Sequence, residues 1–475
     1  MARWSRYDSS IYRAASDAAV LAGQWSKIGK SNMQLCECPS LYPLPAATPG
    51  FEAEYAAALK AGGLPTHVHK YSCGPQPPEK EPMHYGAYLD WWQMGTYNDS
   101  DPLNFSATPG WEDVFAQKPV DSAFFYASKD NEFPTKDGGV RRINFGWAIL
   151  LLHMGSIAGP QSLPRVVTFN PVARQLEQPP IDEVKQLRRT AAFTQKGLKI
   201  AAGQSTVLHL GAGVAKQSEF WASFVLPSSA TTFGFTIGTL PSQGKVAALP
   251  GMAVGRLMTG YGMSGWGSYG RHNATAPSVC QVRCDADPDC VMWSFAGLPR
   301  SMQCLYNRNS IHRQFPVPSS LHSALGFKNT TRLPGCVGNT SYLKCSIDYT
   351  PFPTNGSAAA AAAAFYEVPV SCGSSTDMLR LLPSEKSVEL RVFSDHSFIE
   401  AFFQRGRVAM TVPTVPMSRS KYLSDTADMG VTASADIVAD VTVFPMDSIW
   451  TSPEEVRAAK RVFPPLNTAA AADAL

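Results

Sequence analysis

The chain has 475 residues, 44% of them hydrophobic and 17% charged, with a formal net charge of +3. That supplies apolar material for two or three cores and excludes a disordered polyelectrolyte. The charge forms no basic block, which excludes a nucleic-acid partner, and the apolar run Trp147 to Met154 is too short to span a bilayer and carries His153.

From the N-terminus, Met1 to Arg6 is followed by no apolar core of the signal-peptide kind. Cys36-Glu37-Cys38-Pro39 reads by itself as a Cys-x-Cys loop with a polar Glu37 or as a cysteine pair for a metal, and a lone Cys-x-Cys is weak evidence for either. Thr48 to Pro82 reads as a Pro/Gly-rich insertion with little periodicity; within it His67-x-His69 and Cys73 have metal-ligand types but lack a fourth ligand, so no metal site is expected. Tyr97-Asn98-Asp99-Ser100-Asp101-Pro102 reads as a loop. Asp121 to Lys129 and Arg141 to Trp147 read as paired strands, in which Arg142 and Trp147 hold strands together. Ile181 to Arg188 is helical, and Glu219 to Leu226 and Thr232 to Ile237 alternate as sandwich strands. Ala358 to Ala364 is a run of seven alanines, and 451–475 is an Ala-rich tail.

The segment Ser387 to Thr411 carries the clearest pattern. Val388, Leu390 and Val392 alternate with polar neighbours, Phe398, Glu400 and Phe402 resume the period, and Gln404-Arg405-Gly406-Arg407 turns the chain into Val408, Met410 and Val412. An antiparallel meander with one buried face is expected. Asp395, His396 and Glu400 could suggest an acid/base cluster, but the strand corner at Asp395 to Ser397 favours side-chain bonds to backbone instead.

This segment resembles the C-terminal sandwich signature of glycoside hydrolase family 32, the invertases and fructan hydrolases. Cys36 to Pro43 resembles that family's Glu-Cys-Pro motif, Asp121 to Trp147 its propeller strands, Ser162-Leu163-Pro164-Arg165 with Gln178-Pro179-Pro180 its connecting segment, and Val441 to Trp450 its closing strand. The resemblance implies an all-β fold: part of a five-bladed β-propeller over 1–165, a linker over 166–187 and a β-sandwich over 188–450. It implies Glu37 as general acid/base and Asp121 as the residue that helps set its protonation. Ser40 stands where an acidic residue is common, and Phe124 where lysine is usual. The family's Asn-Asp-Pro-Asn motif, which holds the nucleophile, and its Arg-Asp-Pro motif do not occur in this sequence. The chain is therefore expected to begin partway round the propeller.

The sandwich is interrupted over 259–329. Cys280 and Cys284 stand at i and i+4 on one helical face, with Cys290 and Cys304 following. With Val291 to Phe295 and Cys304-Leu305-Tyr306 this resembles the PAN/apple module, a small disulfide-rich α+β fold that binds proteins or carbohydrates. The resemblance implies the pairs Cys280–Cys304 and Cys284–Cys290; a stapled surface loop without a ligand is the alternative. Six asparagines head glycosylation sequons: Asn98, Asn104, Asn273, Asn329, Asn339 and Asn355. With ten cysteines they point to a secreted, cell-wall or vacuolar protein.

The resemblance implies retaining hydrolysis of β-fructofuranosides such as sucrose or fructans, by two carboxyl groups and water without a cofactor. A noncatalytic sugar-binding protein and an extracellular interaction protein working through the insert are the alternatives. Sequence upstream of Met1 in the transcript is expected to encode, in frame, a signal peptide and both missing motifs. Sequencing the 5′ end of the transcript checks this, and a stop codon directly upstream would favour the noncatalytic readings.

Overall fold

The computed structural model describes residues 7–35, 37–73, 89–135, 138–148, 159–238, short strands between 258 and 327, then 342–352, 364–373, 375–414, 423–449 and 452–458. Strands β1 (Tyr7–Arg13) and β2 (Ser26–Leu35) pair antiparallel around helix α1 (Asp17–Leu21). A four-stranded meander follows: β3 (Glu37–Pro43), β4 (His67–Cys73), β5 (Leu89–Asn98) and β6 (Asp101–Ser106), hydrogen-bonded in that order, with β7 (Lys118–Pro119) added beside β5. A second meander consists of β8 (Phe125–Pro134), β9 (Val140–Ala148), β10 (Arg165–Asn170) and β11 (Gln175–Glu177), ordered β11-β10-β9-β8. Each has the up-and-down order of a propeller blade. Tyr42, Val68, Trp92, Met94, Phe125, Val167 and Phe169 form one buried cluster between them.

Two expectations change here. Thr48 to Pro82 is no featureless insertion, because it contains helix α2 (Glu52–Lys60) and β4, an interior strand. The sequence His67-Val-His-Lys-Tyr-Ser-Cys73 has polar residues buried on both faces, so hydrophobic alternation could not reveal it. The domain boundary also moves. Residue 165 is the first of β10, and the second meander continues to Glu177, so much of the expected linker is sheet.

The sandwich has two six-stranded sheets. One contains β12 (Phe193–Ile200), β14 (Gln217–Val225), β26 (Ser387–Asp395), β27 (Phe398–Phe403), β28 (Val408–Pro413) and β30 (Ile437–Pro445), ordered β12-β30-β14-β26-β27-β28. Its mate contains β13 (Gln204–Val207), β15 (Thr231–Gly238), β23 (Tyr342–Tyr349), β24 (Tyr366–Cys372), β25 (Ser375–Leu381) and β29 (Asp428–Ala433), ordered β13-β29-β15-β23-β24-β25. Inward residues alternate along each strand, and the aromatic pairs Phe220–Phe235 and Phe224–Phe233 meet across the core at 4.5 and 5.0 Å between centroids. The disulfide Cys345–Cys372 joins β23 to β24, a bridge absent from the sequence reading.

Between β15 and β23, which pair directly along their length, the chain leaves for seven short strands, β16 (Met258–Thr259), β17 (Tyr261–Gly262), β18 (Gly270–Asn273), β19 (Met292–Ala296), β20 (Gln303–Asn307), β21 (Val317–Pro318) and β22 (Ala324–Phe327). These pair only with one another among the described residues. Cys280, Cys284 and Cys290 lie outside those residues, as does the side chain of Cys304, so neither expected bridge is described. Asn329, Asn339 and Asn355 also lie outside them, and Asn273 is described only as a residue of β18.

The β26–β28 meander forms as expected, but it buries both faces. Val388, Leu390, Val392, Ile399, Ala401, Phe403, Val408, Met410 and Val412 point into the sandwich core. The reverse face holds Phe393, Glu400, Phe402, Ala409 and Thr411, all buried beneath the N-terminal half. Residues 122–124 cover the outer edge of β28 through bonds from Ser122 and Phe124 N–H to the Ala409 and Thr411 carbonyls, both 2.9 Å. Gly406 has φ +76, and a Cβ there would lie 2.5 Å from the Gln178 carbonyl, so glycine both shapes this turn and lets it dock.

Arg165 is fully buried at this junction. Its Nη2 lies 2.9 Å from Asp121 and 2.8 Å from Glu400, while its guanidinium sits over the Phe125 and Phe402 rings at 4.4 and 5.0 Å. Glu400 is thus an ion-pair partner in mid-strand, separate from the Asp395–Ser397 corner. Arg407 repeats the pattern between Glu177 (2.9 Å) and Glu385 (2.8 Å). Removing the cation would leave two buried carboxylates facing each other. Arg165→Met should therefore cost about 3–5 kcal/mol in urea unfolding, and combining it with Asp121→Asn and Glu400→Gln should recover most of that loss. A loss below about 1 kcal/mol for Arg165→Met would show that the pair does not anchor the junction.

Candidate functional site

The first strands of the two meanders, β3 and β8, lie against each other and bring two side chains together. Glu37 is the first residue of β3 and Tyr126 the second of β8. The Tyr126 hydroxyl donates to Glu37 Oε2 at 2.6 Å, with the Ser72 carbonyl at 3.5 Å. Both residues precede an irregularity of the same kind. The register of β3 against β4 breaks between Glu37 and Ser40, with Cys38 at φ 46, and that of β8 against β9 breaks between Tyr126 and Lys129, with Ala127 at φ 52. A bulge re-aims the side chain beside it, and neither left-handed residue is glycine.

A buried polar layer runs between the same two sheets. Lys70 Nζ donates to the Ser128 carbonyl and lies 3.7 Å from Asp90 Oδ2, which also accepts from the Ser128 N–H at 2.7 Å. Asn144 Nδ2 bonds Ser128 Oγ at 3.0 Å and Asp130 Oδ1 at 3.1 Å. Burial pushes the Asp130 carboxyl up, against the pull of Lys70, Asn144, Arg142 and a hydrogen bond from Ser40. Ser40 therefore contacts an acid supplied by the neighbouring sheet. Tyr42 is held well above the usual phenol range by burial and by Asp130, with the Arg142 guanidinium 3.9 Å over its ring acting in the opposite direction.

Asp121 belongs elsewhere. Its Oδ1 accepts from the N–H groups of Ala123 and Thr411, both at 3.0 Å, and its Oδ2 from Arg165 and the Thr411 hydroxyl. Four donors occupy the carboxylate, and no described bond joins it to Glu37. The position of Phe124 packs against the sandwich core. Tyr126, which bonds Glu37, and Lys70, Asp90 and Asp130 of the polar layer were not singled out by the sequence. Tyr126 lies inside the quoted string 121–129, but only the bulge after it turns its hydroxyl to Glu37. His67 and His69 share the opposite face of β4 from Lys70, where His69 meets the Tyr71 and Phe105 rings at 4.9 and 5.8 Å. Asn98 and Asn104 are exposed around the β5–β6 turn, Asn98 Oδ1 accepting from Ser100 N–H at 2.9 Å.

Residues 344–445 match the family profile described as Glycosyl hydrolases family 32 C terminal. This part of the sandwich is therefore a glycoside hydrolase family 32 C-terminal domain. Among curated relatives, beta-fructofuranosidase, insoluble isoenzyme 7, of Oryza sativa subsp. japonica is 28% identical over 200 residues, which is 41% of this chain and 30% of that protein. Isoenzyme 6 of the same source is 28% identical over 244 residues, 48% of this chain and 35% of that protein. The matches thus span about a third of each relative's length. The crystal structure of fructan 1-exohydrolase IIa from Cichorium intybus is 17% identical, with a TM-score of 0.46 over 93% of this chain and 67% of that one. The family 32 profile covers β23 to β30, including the Ser387 to Thr411 meander.

The β4 strand beneath the site also carries a titration signature. Burial lowers the pKa of His69 to about 4, with Gln93 and Lys70 as lesser influences. Its folded value lies below its unfolded value, so the neutral ring's contribution is complete above about pH 6.5 and is lost as pH falls toward 4. Between pH 7 and pH 4 the wild type should lose about 3 kcal/mol more stability than His69→Gln in urea unfolding. Parallel pH profiles of the two proteins would assign the titration to another group.

Proposed function

We propose that the protein is a glycosidase acting on β-fructofuranosides, sucrose or fructans, with Glu37 as the proton donor. The observation that carries this reading is the hydrogen-bonded Glu37–Tyr126 pair at the starts of two adjacent first strands, in a chain with a family 32 C-terminal domain. Cleavage of the fructosidic bond needs a proton at the leaving oxygen as that bond breaks, and a retaining mechanism needs a second carboxylate about 5–5.5 Å away to attack the anomeric carbon. Glu37 is exposed and so accessible to a sugar oxygen. The nucleophile motif is absent from this sequence, so this chain contributes the acid half of the reaction. The names of the rice relatives support the substrate class.

A secretory destination, cell wall or vacuole, fits the exposed sequons at Asn98 and Asn104 and the Cys345–Cys372 disulfide. No helix among the described residues is long and apolar enough to cross a membrane. The insert would bind a protein or glycan independently of this chemistry. The missing nucleophile motif favours one second reading, a noncatalytic sugar-binding protein. In the protein purified from its source, Glu37→Gln should reduce sucrose hydrolysis by about 10²–10⁴-fold and slow an activated aryl fructoside, whose leaving group needs no proton, much less. Equal, small losses on both substrates would remove Glu37 from this role, and fructose binding without turnover in the wild type would favour the second reading.

A further inference from the structure

Glu37 and Tyr126 meet through two matched backbone devices. Each residue belongs to the first strand of its sheet, each precedes a register break, and each break contains a left-handed residue with a Cβ, Cys38 at φ 46 and Ala127 at φ 52. Left-handed conformations cost non-glycine residues about 1–2 kcal/mol, so two side by side mark a geometry that the surrounding sheets impose. Their joint product is the 2.6 Å bond from the Tyr126 hydroxyl to Glu37 Oε2. A phenol hydroxyl has one proton to donate, and the Ser72 carbonyl, a second acceptor among the described residues, is farther away at 3.5 Å.

We infer that Tyr126 is a positioning residue that reserves Glu37 Oε2 as an acceptor and so assigns the transferable proton to Glu37 Oε1. The inference concerns the same site and rests on the glycosidase reading for its kinetic consequence. A carboxyl that accepts through one oxygen carries its own proton on the other. As the second carboxylate of the retaining reaction bonds to the anomeric carbon and the bond to the leaving oxygen breaks, Oε1 gives its proton to that oxygen and the Glu37 carboxylate remains fixed by Tyr126. When water then attacks the anomeric carbon and displaces that second carboxylate, the proton lost by the water goes to Oε1 and restores the starting state. Without the hydroxyl, the carboxyl of an exposed glutamate would sample other rotamers and the proton would be shared between both oxygens.

The test compares wild type, Tyr126→Phe, and the pair Ala127→Gly and Ala127→Val, by crystallography of this chain and by kinetics of the protein from its source. In Tyr126→Phe the Glu37 carboxyl should leave its wild-type position. Sucrose hydrolysis should fall about tenfold in kcat with KM unchanged, an activated aryl fructoside should be spared, and Glu37→Gln combined with Tyr126→Phe should lose no more than Glu37→Gln alone. Should Tyr126→Phe fail to fold, the second pair decides: glycine at 127 keeps the carboxyl in place, and valine, which resists positive φ, displaces it. An unmoved carboxyl in Tyr126→Phe or Ala127→Val overturns the inference, as do equal losses on both substrates. If the wild type cleaves no fructoside, the glycosidase reading fails while the crystal structures still decide the role of Tyr126.

Discussion

Arg165 connects the two halves of the molecule. Its guanidinium is out of water, pulled between Asp121 on the N-terminal side and Glu400 on the sandwich side and enclosed by Phe125 and Phe402. The desolvation of three charges is tolerable only because each finds its counterpart within hydrogen-bond distance, an arrangement that punishes any relative sliding of the halves. Burial pushes the Glu400 carboxyl up, and Arg165 acts against that shift. The same lock sets Asp121, Ser122 and Phe124 beside β28, two to five residues before Tyr126 leaves Phe125 for the opposite side of its strand. The sandwich thereby steadies the strand that presents the site without touching Glu37.

The polar layer between the two meanders follows a different logic. Lys70 answers Asp90 and lies close enough to Asp130 to ease its burial, while Asn144 and the Ser128 backbone fill the remaining geometry. Some oxygens in it, such as Asp90 Oδ1 and Asn144 Oδ1, are buried with no donor among the described residues. Such atoms raise the cost of closing the two sheets and favour a specific register over a merely apolar contact. A hydrophobic seam would hold as well, but it would not fix where β3 ends and β8 begins.

Much of the sandwich was legible in the sequence because period-two alternation in β14, β15, β26 and β28 reports a buried sheet face directly. Glu37 was legible only through motif resemblance, since nothing in its own neighbourhood is periodic. What escaped shares one property: it depends on contacts between distant segments. Strand β4 looked irregular because neighbouring sheets bury its polar side chains. Asp121 was assigned to Glu37 because its motif was recognised, whereas Arg165, 44 positions later, claims it in space. Phe398, Glu400 and Phe402 kept the strand period yet lie on the face opposite the sandwich core, a phase that hydropathy cannot settle when both faces are covered.

The place of the insert also sets the timetable of folding. Strand β15 pairs with β23 and β29, and β14 with β26 and β30, so neither early strand has an adjacent partner in the chain. Gly238 must wait for Tyr342. At about 5–20 residues per second that pause lasts roughly 5–20 s during synthesis, and the β14 and β15 edges, with Phe220, Phe224, Phe233 and Phe235, stay open for all of it. Closure waits longer still, until β29 and β30 have emerged. The sandwich therefore closes late, from strands whose apolar faces stay exposed to chaperones and to one another while about 200 further residues are added.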